Sequence, residues 1–321
     1  MNAVIIVFYG VEEYEKPILK KAAKDKGIQV KCVSTNANET NMDEAKECQG
    51  VCITSEQSLN PTILKKWNEY GITGIVTRSV GYENIDVNLV KEHGMKFTNI
   101  TYSTSSVADY TVMLMMMLLR NMKETQEEFK RKNFSLGTPG KELRSLTVGI
   151  VGAGNIGRTV MERLQSFGCK VLFYTKGDYS ELGDRVEFVD FQELLQRSDI
   201  ITLHVPSSPD TYHLINSESM KLIKDGAFII NTGRGDLIDT PVLIDALRSG
   251  KIQGAALDVL EGEVGIYYQD CRERVLNNLY IEILDTMPNV ILTPHTAFFT
   301  EEAVTDMINN SMDAYLEGKT L

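Results

Sequence analysis

A short apolar strand that runs straight into a glycine turn, Thr147-Val-Gly-Ile-Val-Gly-Ala-Gly-Asn-Ile-Gly157, constrains this chain more than any other stretch. In Gly152-x-Gly154-x-x-Gly157 each glycine has a physical job. Gly152 allows the tight turn out of the strand, Gly154 lets the backbone approach a pyrophosphate, and Gly157 lets the following helix pack closely on the sheet. Phosphates would then meet the free N–H groups at that helix's N-terminus, where the aligned peptide dipoles favour negative charge. The stretch therefore predicts a dinucleotide-binding strand-turn-helix unit.

Its position predicts two domains. A fingerprint near the middle of 321 residues leaves about 100 before it, enough for a core of their own. In those residues, strands at 4–8, 30–33, 50–54 and 74–77 alternate with helical patterns at 13–26, 43–47 and 61–69, which implies a parallel sheet covered by helices. Ser106-x-x-Asp109 has capping-box spacing and is expected to open a long helix over 107–121. Met113, Met115, Met116 and Met117 lie too densely on it for one face, so that helix is read as buried between domains or subunits. From 147 onward, apolar strands recur at 171–174, 187–189, 200–204, 227–231, 254–258 and 290–293, a second doubly wound sheet. The expected fold is α/β: two Rossmann-like doubly wound parallel-sheet domains with an active-site cleft between them. The first comprises residues 1–100 plus 298–321, and the nucleotide domain 101–297.

Hydrophobic residues make up 43% of the chain and charged residues 24%, so a large core is available. The net charge of −11 repels phosphate backbones and anionic membranes alike, which argues against nucleic-acid or membrane partners. No apolar run reaches the roughly 18 residues of a membrane helix, and residues 1–10 carry no basic leader. Five scattered cysteines read as reduced thiols rather than a disulfide framework, and Cys48 with Cys52 lacks a nearby histidine to suggest a metal. The expectation is a cytoplasmic, metal-free protein.

An acid about 20 residues past the first glycine commonly binds the adenosine ribose and repels a 2′-phosphate. Here that position is Thr175, followed by Lys176, with Asp178 an alternative ribose contact; NAD and NADP both stay open. Three further residues follow predicted strands, where the carboxyl edge of a parallel sheet forms its ligand crevice. These are Arg234 in the NTGRG turn, Glu263 at the end of ALDVLEGE, and His295 in TPHTAFFT.

With these motifs the chain resembles the D-isomer-specific 2-hydroxyacid dehydrogenases. Thr77-Arg-Ser-Val-Gly81 with Asn84-Ile-Asp86, Tyr102-Ser103 with Ser106-Val-Ala-Asp109, and Leu203-His-Val-Pro206 extend the likeness over nearly the whole sequence. ALDVLEGE, Tyr268-x-Asp270-Cys271 and MPNVILTPHTAFFT resemble the D-lactate dehydrogenase branch, closest to the pyruvate reductases of vancomycin-resistance clusters. The resemblance implies a homodimeric NAD- or NADP-dependent enzyme acting on a small 2-keto or 2-hydroxy acid. It makes Arg234 the two-pronged clamp for the substrate carboxylate; should Arg234 not hold it, Arg78 is the next candidate cation. His295 becomes the acid–base residue and Glu263 its partner. It also implies that Val80 and Gly81 assist at the carboxylate, that Tyr102 and Phe298 line the substrate pocket, and that Asp258 fixes the nicotinamide amide. His204, Val205 and Pro206 border the nicotinamide ribose, and Asn155, Ile156, Thr232 and Gly233 complete the cofactor contacts. Thr175 in place of the aspartate of NAD-selective relatives, and Asp109 where many have glutamate, are departures. Reduction of pyruvate to D-lactate is the expected reaction; larger branched or aromatic 2-keto acids are the alternative substrates. A dinucleotide-sensing co-repressor-like protein is the alternative of another class.

Overall fold

The structure is a computed structural model that describes residues 4–177 and 186–320. It divides into two compact units, Met1–Ser103 with Phe299–Leu321, and Thr104–Phe298.

In the first unit, strands β1 (Ile5–Phe8), β2 (Gln29–Cys32), β3 (Gly50–Ile53), β4 (Gly74–Thr77) and β5 (Lys96–Thr98) form a parallel sheet in the order β2-β1-β3-β4-β5. Successive side chains of a strand point to opposite faces. Val7, Val51, Ile53, Ile75 and Phe97 therefore face one core, with Ile63, Leu64 and Trp67 of α2 (Pro61–Glu69) and Val90 of α3 (Val87–Glu92). Ile6, Phe8 and Cys52 face another, with Leu19, Ala22 and Ala23 of α1 (Glu15–Lys26) and Val304, Ile308 and Met312 of the C-terminal helix Glu301–Leu316. Asp86 caps α3 by accepting from Leu89 N–H at 3.0 Å, so the Asn84-Ile-Asp86 motif has a structural job here.

Arg78, just beyond β4, is a core residue of this unit. It is 3% exposed, its Nε lies 3.4 Å from Glu15 Oε1, and its Nη atoms donate to the carbonyls of Tyr9 and Gly10 at 3.2 and 3.0 Å. A guanidinium held on every side in this way is unsuited to clamp a substrate, which corrects its standing as the next candidate. A buried charge that loses a partner keeps the cost of its burial, so Glu15→Gln is expected to lower stability by about 1–3 kcal/mol. A denaturant-unfolding midpoint equal to wild type would contradict this.

In the second unit, α4 (Ser105–Leu119) and α5 (Met122–Lys130) precede a seven-stranded sheet. Its strands are β6 (Thr147–Val151), β7 (Lys170–Tyr174), β8 (Glu187–Phe188), β9 (Ile200–Leu203), β10 (Ala227–Asn231), β11 (Ile252–Leu257) and β12 (Val290–Leu292). All pairs are parallel, in the order β12-β11-β10-β9-β6-β7-β8, so the winding reverses between β6 and β9. One face is covered by α4 and α6 (Asn155–Gln165). The other carries α7 (Phe191–Arg197), α8 (Ser217–Leu222), α9 (Thr240–Ser249) and α10 (Leu279–Asp285). The C-terminal helix, α11, packs on α1 and β4 in the first unit.

One expectation for α4 is corrected. The helix starts at Ser105 with Thr104 at its cap and no side-chain cap bond, so Ser106 lies within the first turn and the capping box does not form. Asp109 instead accepts from Arg163 Nε of α6 at 2.6 Å. Met115 is fully buried against the sheet of its own unit, Met116 and Met117 flank it, and Met113 is exposed.

Candidate active site

The parallel register aligns six strand ends in one row. Tyr174 pairs with Val151, Val151 with Leu203, Leu203 with Asn231, Asn231 with Leu257, and Leu257 with Leu292. The next residues along the chain are Thr175, Gly152, His204, Thr232, Asp258 and Thr293. Carboxyl ends of parallel strands at the reversal point are where such sheets bind ligands, so this row defines the site of the unit.

At the reversal point the three glycines have different surroundings. Gly152 has φ +104°, and a Cβ there would lie 2.5 Å from the His204 carbonyl oxygen. At Gly157 a Cβ would collide with the Gly152 carbonyl. At Gly154 it would meet no protein atom within 4 Å. The first and third glycines are therefore required by packing, while the second, the N-cap of α6, borders open space and offers no side chain to the helix's first N–H groups. That combination fits a dinucleotide pyrophosphate. His204, partly buried, pairs its Nε2 with Thr202 Oγ1 at 2.9 Å, and loss of hydration pushes its pKa down to about 3, so the ring is neutral at physiological pH. Val205 and Pro206 continue this loop beside β6, Val205 packed against the core and Pro206 exposed. Thr232 bonds Thr111 of α4 through their hydroxyls at 2.8 Å. Lys176 Nζ lies 2.9 Å from Asp210 Oδ2, on the loop after β9, while Asp178 lies outside the described residues.

The three candidate residues Arg234, Glu263 and His295 lie on the segments that follow β10, β11 and β12, side by side. Glu263 bridges its own loop to the next: Oε2 accepts Leu260 N–H at 2.6 Å and Oε1 is 2.6 Å from His295 Nδ1. A carboxylate only accepts, so Nδ1 carries the shared proton and Nε2 is left as the working nitrogen. His295 adopts φ +55°, uncommon for a residue with a side chain, and its N–H donates to the Asp258 carbonyl at 2.7 Å. Asp258 is fully buried, which pushes its pKa up; its carboxylate accepts from Thr293 Oγ1, Thr296 N–H and Ala297 N–H at 2.6–2.9 Å. Its visible task is thus to build the turn that carries His295. Arg234 is placed by Asn231, whose amide donates to the Arg234 carbonyl at 2.8 Å and accepts Gly233 N–H at 3.0 Å.

Tyr268 supports the turn that carries His295. Its hydroxyl donates to the His295 carbonyl at 2.7 Å, and its ring leans on those of His295 and Phe298, with centroids 5.9 and 6.4 Å away. A tyrosine within a polar loop gives no periodic signal, and only the fold reveals this contact. Val80, Gly81 and Tyr102 belong to the first unit. There Asn99 holds the Val80 carbonyl at 2.6 Å, Ser79 holds that of Gly81 at 2.6 Å, and Tyr102 packs against Val76, Ile100 and Ala314. Among the described residues no group of three metal-binding side chains gathers, and no helix is long and apolar enough to cross a membrane.

Residues 112–297 match the family model described as "D-isomer specific 2-hydroxyacid dehydrogenase, NAD binding domain", more than half the chain. The chain belongs to the D-isomer-specific 2-hydroxyacid dehydrogenase family. It is 42% identical over 318 residues to a D-specific alpha-keto acid dehydrogenase of Enterococcus faecium, covering 99% of this chain and 98% of that one. It is 39% identical over 267 residues to an aromatic 2-oxoacid reductase of Clostridium sporogenes, covering 82% and 81%. The structure of D-lactate dehydrogenase with NAD+ from Lactobacillus jensenii superposes with a TM-score of 0.86 at 30% identity, covering 98% of each chain. As a member of this family the protein is an NAD-dependent oxidoreductase acting through a two-sheet α/β fold.

Proposed function

We propose that this protein reduces pyruvate, or a closely related 2-keto acid, to the D-2-hydroxy acid. The observation that carries the proposal is the His295–Glu263 pair at 2.6 Å beside the turn that presents Arg234, on three adjacent strand ends. When bound, the nicotinamide supplies the hydride that adds to the keto carbon. The residues do the rest. Arg234 grips the substrate carboxylate with its planar fork, assisted by the N–H groups of Val80 and Gly81, with Tyr102 and Phe298 lining the pocket. His295 gives the proton on Nε2 to the carbonyl oxygen as that oxygen becomes a hydroxyl, and takes it back in oxidation. Glu263 orients the ring and offsets the charge of the imidazolium before the proton leaves. Asn155 and Ile156 would border the pyrophosphate, Thr232, Gly233 and His204 to Pro206 the nicotinamide side, and Asp258 the nicotinamide amide. The aromatic 2-oxoacid reductase among the relatives favours a second reading, in which the pocket takes a larger side chain. Initial rates with pyruvate, 2-ketobutyrate, 2-ketoisocaproate and phenylpyruvate separate the two, and absence of turnover with all four overturns both. The family resemblance also supports a homodimer, and the composition a cytoplasmic location; the mass in solution tests the first, and fractionation of the host cell the second.

NADP use turns on Thr175 and Lys176. A lysine beside a neutral threonine is suited to a 2′-phosphate, but Lys176 already holds Asp210, and that bond keeps the Asp210 carboxyl below its usual range. Asp210 therefore stands in for the missing acid by competing with the phosphate. Asp210→Asn is expected to raise the NADPH-to-NADH ratio of kcat/KM by about two- to fivefold, the size of an exposed ion pair. Thr175→Asp is expected to lower it. Ratios unchanged in both variants would remove these residues from cofactor choice.

A further inference from the structure

A second histidine lies behind the site, joined to both of the turns that carry it. His213 follows β9 on the loop Ser208-Pro-Asp-Thr-Tyr-His213 and adopts φ +48°. Its N–H donates to the Asp236 carbonyl at 2.8 Å, two residues past Arg234. Its Nε2 lies 2.9 Å from Glu261 Oε1, two residues before Glu263, and its Nδ1 lies 3.7 Å from Asp239 Oδ2. The ring stacks on Tyr212 with centroids 4.0 Å apart, and the Tyr212 hydroxyl reaches the same Glu261 oxygen at 3.3 Å. Asn216 fixes the His213 carbonyl at 2.9 Å, and Asn278 fixes that of Glu261 at 2.8 Å.

The two turns also touch directly. A Cβ at Gly235 would collide with the backbone of Leu260 and Glu261, so the Arg234 turn rests on the peptide whose Leu260 N–H holds Glu263. Contact alone permits sliding. His213 adds a directional bond to each side, closing a ring from Asp236 through His213 to Glu261 and back across Gly235. Such a ring fixes two loops relative to one another because none of its bonds can shift alone.

We propose that His213 is a positioning residue: it sets the Arg234 turn against the Glu263 loop, and so sets the carboxylate clamp against the acid that delivers the proton. The proposal rests on the roles given above to Arg234, Glu263 and His295, and it places His213 outside contact with substrate. Displacement of about 1 Å at such a site is sufficient to cost a large factor in rate.

The test compares His213→Phe, which keeps the ring and its stacking but loses the bond to Glu261, with His213→Gln, whose amide restores a donor at the Nε2 position. His213→Phe is expected to lower kcat/KM for the keto acid by about tenfold, with NADH affinity, read by fluorescence titration, unchanged; His213→Gln is expected to recover most of the loss. A readout independent of turnover comes from the four histidines of the chain, whose Cε1–H signals can be followed by NMR without cofactor. As Glu263 is drawn from His295, the pH dependence of the His295 signal is expected to move to lower pH in His213→Phe and to return in His213→Gln. Should His213→Phe fail to fold, Glu261→Gln weakens the same bond from its other end and is expected to shift the signal in the same direction. A His295 midpoint unmoved in the folded variant overturns the inference, as does an equal loss with Phe and Gln or a parallel loss of NADH affinity. Inactivity of the wild type towards every keto acid would instead defeat the proposed reaction, and the NMR shift would still decide whether His213 positions Glu263.

Discussion

Alanine in place of His295 is expected to lower kcat/KM for pyruvate reduction by about 10²- to 10⁴-fold at pH values where the imidazole is protonated, the usual worth of a positioned general acid. The residual rate should be flat in pH, so the loss narrows as the wild-type rate declines, because no other group on the β12 turn is placed to donate a proton: Thr293 and Thr296 are neutral, and the nearby Asp258 carboxylate is occupied by three donors. Glu263→Gln probes the same pair differently. Reduction requires the charged imidazolium and oxidation the neutral ring, so the two directions have opposite pH dependences. Removing the carboxylate 2.6 Å from Nδ1 removes a charge that favours the imidazolium, and the amide can present only a neutral oxygen. The declining limb of the reduction profile is therefore expected to move to lower pH, and the rising limb of oxidation to move with it. Profiles from pH 5 to 9 in both directions, under conditions where chemistry limits the rate, check the sign. An unchanged or alkaline-shifted profile in Glu263→Gln would assign the partner's role to another group.

How much of this was legible beforehand depended on the range over which each residue acts. Apolar runs closed by glycine or a polar turn mark the strands of a parallel sheet, and the row of strand ends follows once the strands pair in register. For that reason Arg234, Glu263 and His295 could be placed beyond strand ends at one edge from sequence. Short helices such as α3, α8 and α10, six or seven residues long, are below the length at which a 3.6-residue period can be read. Spacing alone does not say which residue sits at a helix cap: Ser106 and Asp109 have the spacing of a capping box, yet Thr104, two positions earlier, occupies the cap. Arg78 looked available because a charged residue is rarely fully buried, yet Glu15 and two carbonyls, distant in sequence, satisfy it. Tyr268 and His213 were invisible for a similar reason. Tyr268 contributes through a bond to a residue 27 positions away, His213 through bonds to residues 23 and 48 positions away, and each stands at a positive φ that only the finished loop explains. The pairing of Lys176 with Asp210 across two loops belongs to the same class, and it alters the meaning of a motif that had been read from its own residues alone.

The clamp provides the other large effect. Arg234→Lys keeps a positive charge but replaces a rigid fork by a single rotating ammonium, so the paired hydrogen bonds to a carboxylate cannot both form. Arg234 Nη1 donates to the Gly233 carbonyl at 2.8 Å, but the turn keeps its other supports without that bond, because Asn231 holds the Arg234 carbonyl and Gly233 N–H, and Gly235 rests on Leu260 and Glu261. The substitution therefore tests the guanidinium rather than the loop. The expected loss in kcat/KM is about 2–4 kcal/mol of transition-state stabilisation, with a rise in KM for the keto acid and no change in the affinity for NADH. The pH at which reduction declines should stay where it is in wild type, since the His295–Glu263 pair is left intact. With Arg78 locked in the core of the first unit, that cation cannot take over, and the loss should not be recovered at high substrate charge or by lowering the salt concentration. Near-wild-type kinetics in Arg234→Lys would show that charge alone suffices at this position, and a two-pronged grip on the carboxylate would have to be abandoned.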